Sequence, residues 1–251
     1  MQELPRRTGF SGPKLIRLLA RLTDADVPES RQSPSDRLSQ WLGWTDAIAL
    51  STALNRAPAA APVGARPEAG AGAQECARVR ATLEQAIAGP KPTVANRQRG
   101  DLRAPPQAKS KAAEYAEYAT YRQRYVSLQQ TMEMSIGTLR IRLRAMLAAA
   151  TPEMTQLAVL DAVMEQGLSA RERSLLAGVP KLLEGHFKRL REAEQAALTA
   201  LADSDAAERP LPVAPGTWLE TFRKDMQTVL HAELDIRFQP IEGLLAALRD
   251  C

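Results

Sequence analysis

The sequence predicts an all-α protein, and three observations carry that expectation. Apolar residues return at steps of three and four through the C-terminal half, from about Ser110 to Arg249, which keeps them on one face of a helix. Alanine and leucine abound while aromatic residues make up only 4% of the chain, and no run alternates Val, Ile or Thr with polar residues as a half-buried strand would. Helix-start signals stand where the stripes begin. The expected architecture is a long antiparallel helical bundle with coiled-coil character, joined through flexible linkers to a small N-terminal helical module.

The N-terminal module is expected over residues 1–55. Ser11 and Pro13 precede Leu15, Ile16, Leu18, Leu19 and Leu22, a short amphipathic helix that ends near the acidic, proline-containing residues 24–29. Ser33-Pro34-Ser35-Asp36 then opens a helical pattern through Leu38, Trp41, Leu42, Trp44, Ile48, Leu50 and Leu54, with Ser33 as cap and Asp36 complementing the helix dipole. Two short helices bury little alone. Trp41 and Trp44 are therefore either the core of this module or an exposed anchor for another protein, and the core is the favoured reading.

Residues 56–109 read as linker. The first part is Ala, Pro and Gly with few large apolar side chains, too little to offset the entropy of ordering. A short helix follows at about 74–88, with Val79, Leu83 and Ile87 on one face. Then Lys91, Arg97, Arg99, Arg103, Lys109 and Lys111 cluster against Asp101 alone, among Pro90, Pro92, Pro105 and Pro106. That is a basic linker, with nucleic acid or anionic lipid as its conceivable partners.

The long bundle is expected over 110–251. Its first segment carries Tyr118, Tyr121, Tyr125, Leu128, Met132, Ile136, Leu139, Leu143 and Met146. The step Leu128–Met132–Ile136 runs four and four, a stutter that relaxes a left-handed supercoil. The tyrosines lie in register with the aliphatic stripe, which favours a packing role over a base-stacking platform. The second segment opens at Thr151-Pro152-Glu153, a cap followed by proline at the first helical position. It runs through Leu157, Leu160, Met164, Leu168, Leu175, Val179, Leu183, Phe187 and Leu190, with Gly178 and Pro180 imposing a kink or two helices in line. After three prolines between 203 and 216, Thr217-Trp218-Leu219-Glu220 reads as a capping box opening the third segment. Phe222, Met226, Leu230, Leu234, Phe238, Ile241, Leu245 and Leu248 share its face, and Pro240 is expected to bend it.

Chemistry is sparse. His186 and His231 are the only imidazoles, and neither stands in a metal-ligand spacing; His186 reads as part of a basic helix face and His231 as a surface position. No glycine-rich phosphate loop occurs. Carboxylates such as Asp161, Glu165, Glu172 and Glu233 lack the Glu-x-x-His pairs of a di-metal bundle and read as solvated faces and ion-pair partners. No catalytic, cofactor-binding or metal-binding residue is assigned, and an enzyme is not expected. Arg140, Arg142 and Arg144, with Lys188, Arg189 and Arg191, alternate over different helix faces, which favours an ion-paired surface over a nucleic-acid groove. Cys76 and Cys251 form no disulfide framework, and no stretch approaches a spanning helix or an ordinary export signal, so a cytoplasmic setting is expected.

Two stretches carry a resemblance. Residues 6–48, including Thr8-Gly9-Phe10-Ser11-Gly12, Leu22-Thr23-Asp24-Ala25-Asp26-Val27-Pro28 and Gln40-Trp41-Leu42-Gly43-Trp44, are similar to the start of the proteobacterial family DUF3348. Ala232-Glu233-Leu234-Asp235 and Gln239-Pro240-Ile241-Glu242-Gly243 look like the same family's C-terminus. The resemblance implies the cytosolic accessory component of a type III Zorya anti-phage defence system, encoded beside a MotA/MotB-like membrane motor pair. It brings no catalytic residues.

The leading expectation is a non-enzymatic helical scaffold. Packing or self-association would fall to Tyr125, Leu128, Met132, Leu139 and Leu143 and to Phe222, Met226, Leu230 and Leu234, with Trp41 and Trp44 as further contacts. The alternative is a nucleic-acid-binding effector using Arg97, Arg99, Arg103, Lys109 and Lys111 with Arg140, Arg142 and Arg144.

Overall fold

The computed structural model describes residues 13–25, 32–55, 69–89, 111–203 and 216–250. Its elements are helices: α1 (Lys14–Thr23), α2 (Pro34–Trp41), α3 (Trp44–Asn55), α4 (Ala69–Ala88), α5 (Lys111–Ala148), α6 (Pro152–Leu176), α7 (Val179–Asp203) and α8 (Thr217–Arg249). Among the described residues there is no strand. The linkers expected at 56–68 and 90–109, with Arg97, Arg99, Arg103 and Lys109, lie outside the described residues. Lys111 begins α5, and its side chain is not described.

The local rules of the chain set most of the ends. Ser33 and Asp36 form a reciprocal capping box at the start of α2. Thr151 accepts from the Met154 N–H at 3.3 Å, and Pro152 takes the first position of α6. The capping box expected at Thr217 is not the cap of α8. Gly216 is the N-cap, with φ 94, and its own N–H donates to Glu194 Oε1 at 2.8 Å across to α7. Only a residue without a Cβ takes that left-handed turn cheaply, which moves the helix start one residue. Gly178 and Pro180 divide the second segment into two helices, α6 and α7, and the Tyr118 hydroxyl donates to the Pro180 carbonyl. Pro240 lies inside α8, which continues to Arg249.

The centre of the molecule is α8. Helices α5, α4, α7 and α1 all pack against it. The α5 stripe from Tyr118 through Tyr125, Met132, Leu139, Leu143 and Leu147 is buried, as are Phe222, Met226, Leu230, Leu234, Phe238 and Ile241 on α8. Where α5, α7 and α8 meet, Phe187 sits edge-on to Trp218 and Phe222, at 4.9 and 5.0 Å between ring centroids, with Tyr118 at 5.4 Å. The tyrosine rings are thus part of a packed aromatic cluster.

Two elements join this bundle that the sequence placed elsewhere. Helix α1 lays Leu15, Ala20 and Leu22 against α7 and α8, and α4, five residues longer at its start than expected, adds Cys76, Leu83 and Ile87 to the core. The reason is that short helices gain their stability from tertiary burial, not from propensity. The α5 stripe therefore meets α4, α6, α7 and α8 together, a globular packing in place of a two-stranded coiled-coil seam. Helix α6 leans away from this body. It packs on α5 and carries α2 and α3 as an arm.

Trp41 and Trp44 are not the core of an N-terminal module. Trp44 is 82% exposed and Trp41 40% exposed, because α2 and α3 meet α6 through other positions. At Gly167 an added Cβ would stand 3.1 Å from Leu42 and 3.3 Å from Asp46, so the arm approaches α6 over a bare backbone position.

Candidate partner-binding groove

Helix α6 is a long helix that buries few of its residues. Its stripe of Leu157, Leu160, Met164, Leu168 and Leu175 is helical in spacing, yet Ala158 and Leu176 are the α6 residues that are buried. One flank is held to α5 by charge. Arg140 grips Asp161 with two bonds, Nε to Oδ2 at 2.8 Å and Nη2 to Oδ1 at 2.6 Å, and Arg144 donates to Glu165. Arg140 also lies 3.7 Å from Glu165 and Arg144 3.6 Å from Asp161, so two arginines and two carboxylates form one crossed cluster between α5 and α6.

The apolar stripe instead faces an open groove of ≈ 940 Å³ between α6 and α8. Helix α5 contributes Ile136 and Gly137, α8 contributes Ile236, Pro240, Gly243 and Leu244, and α1 and α2 close one side with Ile16 and Trp41. The rim is apolar. Ile16, Trp41, Leu157 and Leu175 are all large and exposed, Leu175 at 53%. Monomeric proteins rarely leave such side chains contiguous around a concavity unless something covers them.

At one end of the groove lies a buried polar network. Glu233 is 0% exposed and accepts from the Tyr125 hydroxyl at 2.7 Å, from Gln129 Nε2 at 3.0 Å, and from Arg237 Nε and Nη2 at 3.0 and 2.9 Å. Arg237 Nη1 reaches on to Glu172 Oε1 of α6 at 3.2 Å, and Gln129 Nε2 donates to the Leu176 carbonyl at 3.1 Å. The network ties the last turn of α6 to α5 and α8. Burial, followed by the charge of Glu233, pushes the Tyr125 phenol far above its usual range.

The residues singled out in the sequence fall in different places. Tyr125, Leu128, Met132, Leu139, Leu143, Phe222, Met226, Leu230 and Leu234 are buried together in one core inside the chain. Arg140 and Arg144 face Asp161 and Glu165, while Arg142 pairs with Glu75 of α4. Glu233, read as a solvated carboxylate, is fully buried. His186 is buried too, and its Nε2 shares a hydrogen bond with Asp225 Oδ2 at 2.8 Å instead of joining a basic face; His231 is half-buried. Among the described residues no three His, Cys, Asp or Glu side chains gather as metal ligands, and no helix is long and apolar enough to cross a membrane. Sequence reasoning missed Arg171, Gly137 and Gly243 on the groove. The signal available was two glycines standing inside otherwise helical patterns.

A sequence profile of the family described as "Protein of unknown function (DUF3348)" matches residues 1–250. The chain belongs to the DUF3348 family. No curated protein and no solved structure matches it. The DUF3348 match runs through every described helix, so the arm, the groove and the bundle all lie within the matched residues.

Proposed function

We propose that this DUF3348 protein is a non-enzymatic helical interaction protein that receives a protein partner in the groove between α6 and α8. The observation that supports this reading is the α6 stripe, half-buried at Leu160, Met164 and Leu168 and exposed at both ends, which borders a groove rimmed by exposed Ile16, Trp41, Leu157 and Leu175. Interface cores are apolar and aromatic, and their exposure in the free protein is the usual mark of a partner site. The buried network around Glu233 supports a rigid groove wall, since a satisfied polar cluster fixes one arrangement of the helices it joins.

For the partner's identity the support is the resemblance to a family encoded beside a MotA/MotB-like membrane motor pair, an arrangement similar to type III Zorya defence. On that basis the partner is a MotA/MotB-like membrane motor complex of an anti-phage system, and this chain is its accessory component. The test is co-purification of the full chain with such a complex in detergent. Wild-type protein is expected to be retained and Leu168→Arg, which places a charge in the middle of the α6 stripe, to be lost. Retention of the variant at wild-type level removes the groove as the contact, and failure of the wild type to be retained removes the motor as the partner.

A further inference from the structure

We infer that the occupant of the groove is an acidic amphipathic helix from a partner protein, lying along α6 with a carboxylate on Arg171. The inference rests on the reading of the groove as a partner surface and adds the chemistry of what fills it. Its first support is shape. From Leu157 to Leu175 the α6 wall is about 27 Å long at 1.5 Å per residue, five turns of an α-helix. The other walls are also helices, contributed over residues 133–140 of α5 and 236–244 of α8. An added helix completes such an arrangement by the same ridge-and-groove packing that builds the rest of the bundle.

The second support is two bare backbone positions. Gly137 and Gly243 both stand inside long helices, both line the groove, and an added Cβ at either would meet nothing within 4 Å. Glycine weakens a helix interior, and among the described residues no neighbour requires a missing side chain at these points. Both leave room for the close approach of another backbone.

Charge supplies the sign of the occupant. Most charged side chains on the groove are matched within the chain: Arg140 with Asp161, Arg237 with Glu172, and Arg173 with Glu133 at 3.5 Å. Arg171 is different. It is exposed, its guanidinium lies 5.8 Å from the centre of the Trp41 ring, and it has no carboxylate partner among the described residues. A lone cation at the rim selects a negative side chain and fixes the register of what docks. The spread of exposed apolar side chains favours a helix over a small amphiphile, because one small molecule would not cover side chains contributed by α1, α2 and both ends of α6.

The experiment is selection of a displayed library of 18-residue helices against the immobilised full chain, with leucine fixed at i, i+3, i+4 and i+7 and the flanking positions randomised. Wild type is expected to enrich Asp or Glu at one register position. Arg171→Glu should invert that preference to Lys or Arg. Gly137→Leu and Gly243→Leu, which improve helix propensity and fill the space, should each weaken a selected helix at least tenfold while circular dichroism shows unchanged helicity. Selected helices without an acidic position, or with affinity unchanged in both leucine variants, overturn the proposal. So does a wild-type dimer in light scattering that Gly243→Leu renders monomeric, since the occupant is then a second copy. Retention of the membrane complex by a chain that selects no helix overturns this inference and leaves the interaction reading standing.

Discussion

The Tyr125 hydroxyl donates to Glu233 Oε2 at 2.7 Å across the packed face of α5 and α8, in the interior of the molecule. Removing that donor leaves a buried carboxylate with less compensation. Tyr125→Phe is expected to cost about 1–3 kcal/mol of unfolding free energy. Glu233→Leu should be worse, about 3–5 kcal/mol, because Arg237 then keeps only Glu172 as a counterion. Urea titration followed by circular dichroism measures both. Equal stabilities for Tyr125→Phe and wild type would show that Gln129 and Arg237 suffice.

Alkali should loosen the fold through the same face. Burial raises the Tyr125 and Tyr118 phenols above their usual range, and burial, with Glu75 and Glu242 nearby, pushes the Cys76 thiol up to about 11. Each group is an acid held protonated in the folded state, so its stabilising contribution is complete below the unfolded pKa and is lost as pH rises towards the folded one. For Cys76 that window runs from about 8.5 for a free thiol to about 11; for the tyrosines it opens at about 10. Melting temperatures from pH 7 to 11 are expected to hold and then fall. The slope should be shallower in Tyr125→Phe and in Cys76→Ala, and an unchanged slope in both would refute the assignment.

Arg140 and Asp161 are each 13% exposed and joined by two hydrogen bonds, so their coupling should exceed that of an ordinary surface pair. A double-mutant cycle with Arg140→Ala and Asp161→Ala is expected to return about 1–3 kcal/mol. Salt should reduce it only in part, since partly buried charges are poorly screened. The same pairing predicts that Arg140→Ala leaves any low-salt mobility shift with DNA unchanged. A shift that depends on Arg140 would argue for the nucleic-acid alternative.

The stripes of α5 and α8 were readable because their burial follows a period that the chain states locally: Met132, Leu139, Leu230 and Leu234 recur at helical steps and are all in the core. The caps at Ser33 and Thr151 were readable for the same reason, being decided within four residues. What sequence alone did not disclose depends on distant partners. Leu15 and Leu83 lie on short amphipathic helices that look the same whether they form a separate module or dock on α8. Glu233 looks like any exposed helical carboxylate until Tyr125 and Gln129 arrive from more than a hundred residues away. The groove is less legible still. Leu160, Met164 and Leu168 show the pattern of a packed stripe, and nothing in their spacing tells that they stay only half-buried on the groove.

Trp44 and Leu230 mark the two extremes of that ambiguity, and substitution separates them. Trp44, with Ile48 one turn on, faces outward from α3, and Leu230 is 0% exposed at the centre of α8. Trp44→Ser removes a mostly exposed side chain and should change stability by about 0.5 kcal/mol or less, and Ile48→Ser, half covered, by no more than about 1 kcal/mol. Leu230→Asp places an uncompensated charge where α8 is surrounded, and should abolish cooperative folding; Leu139→Asp on the facing α5 should do the same. Thermal melts of the four variants make the comparison. If Trp44→Ser lost several kcal/mol, α3 would be packed more closely than its exposure indicates, and the arm would be part of the core and not a surface available to a partner.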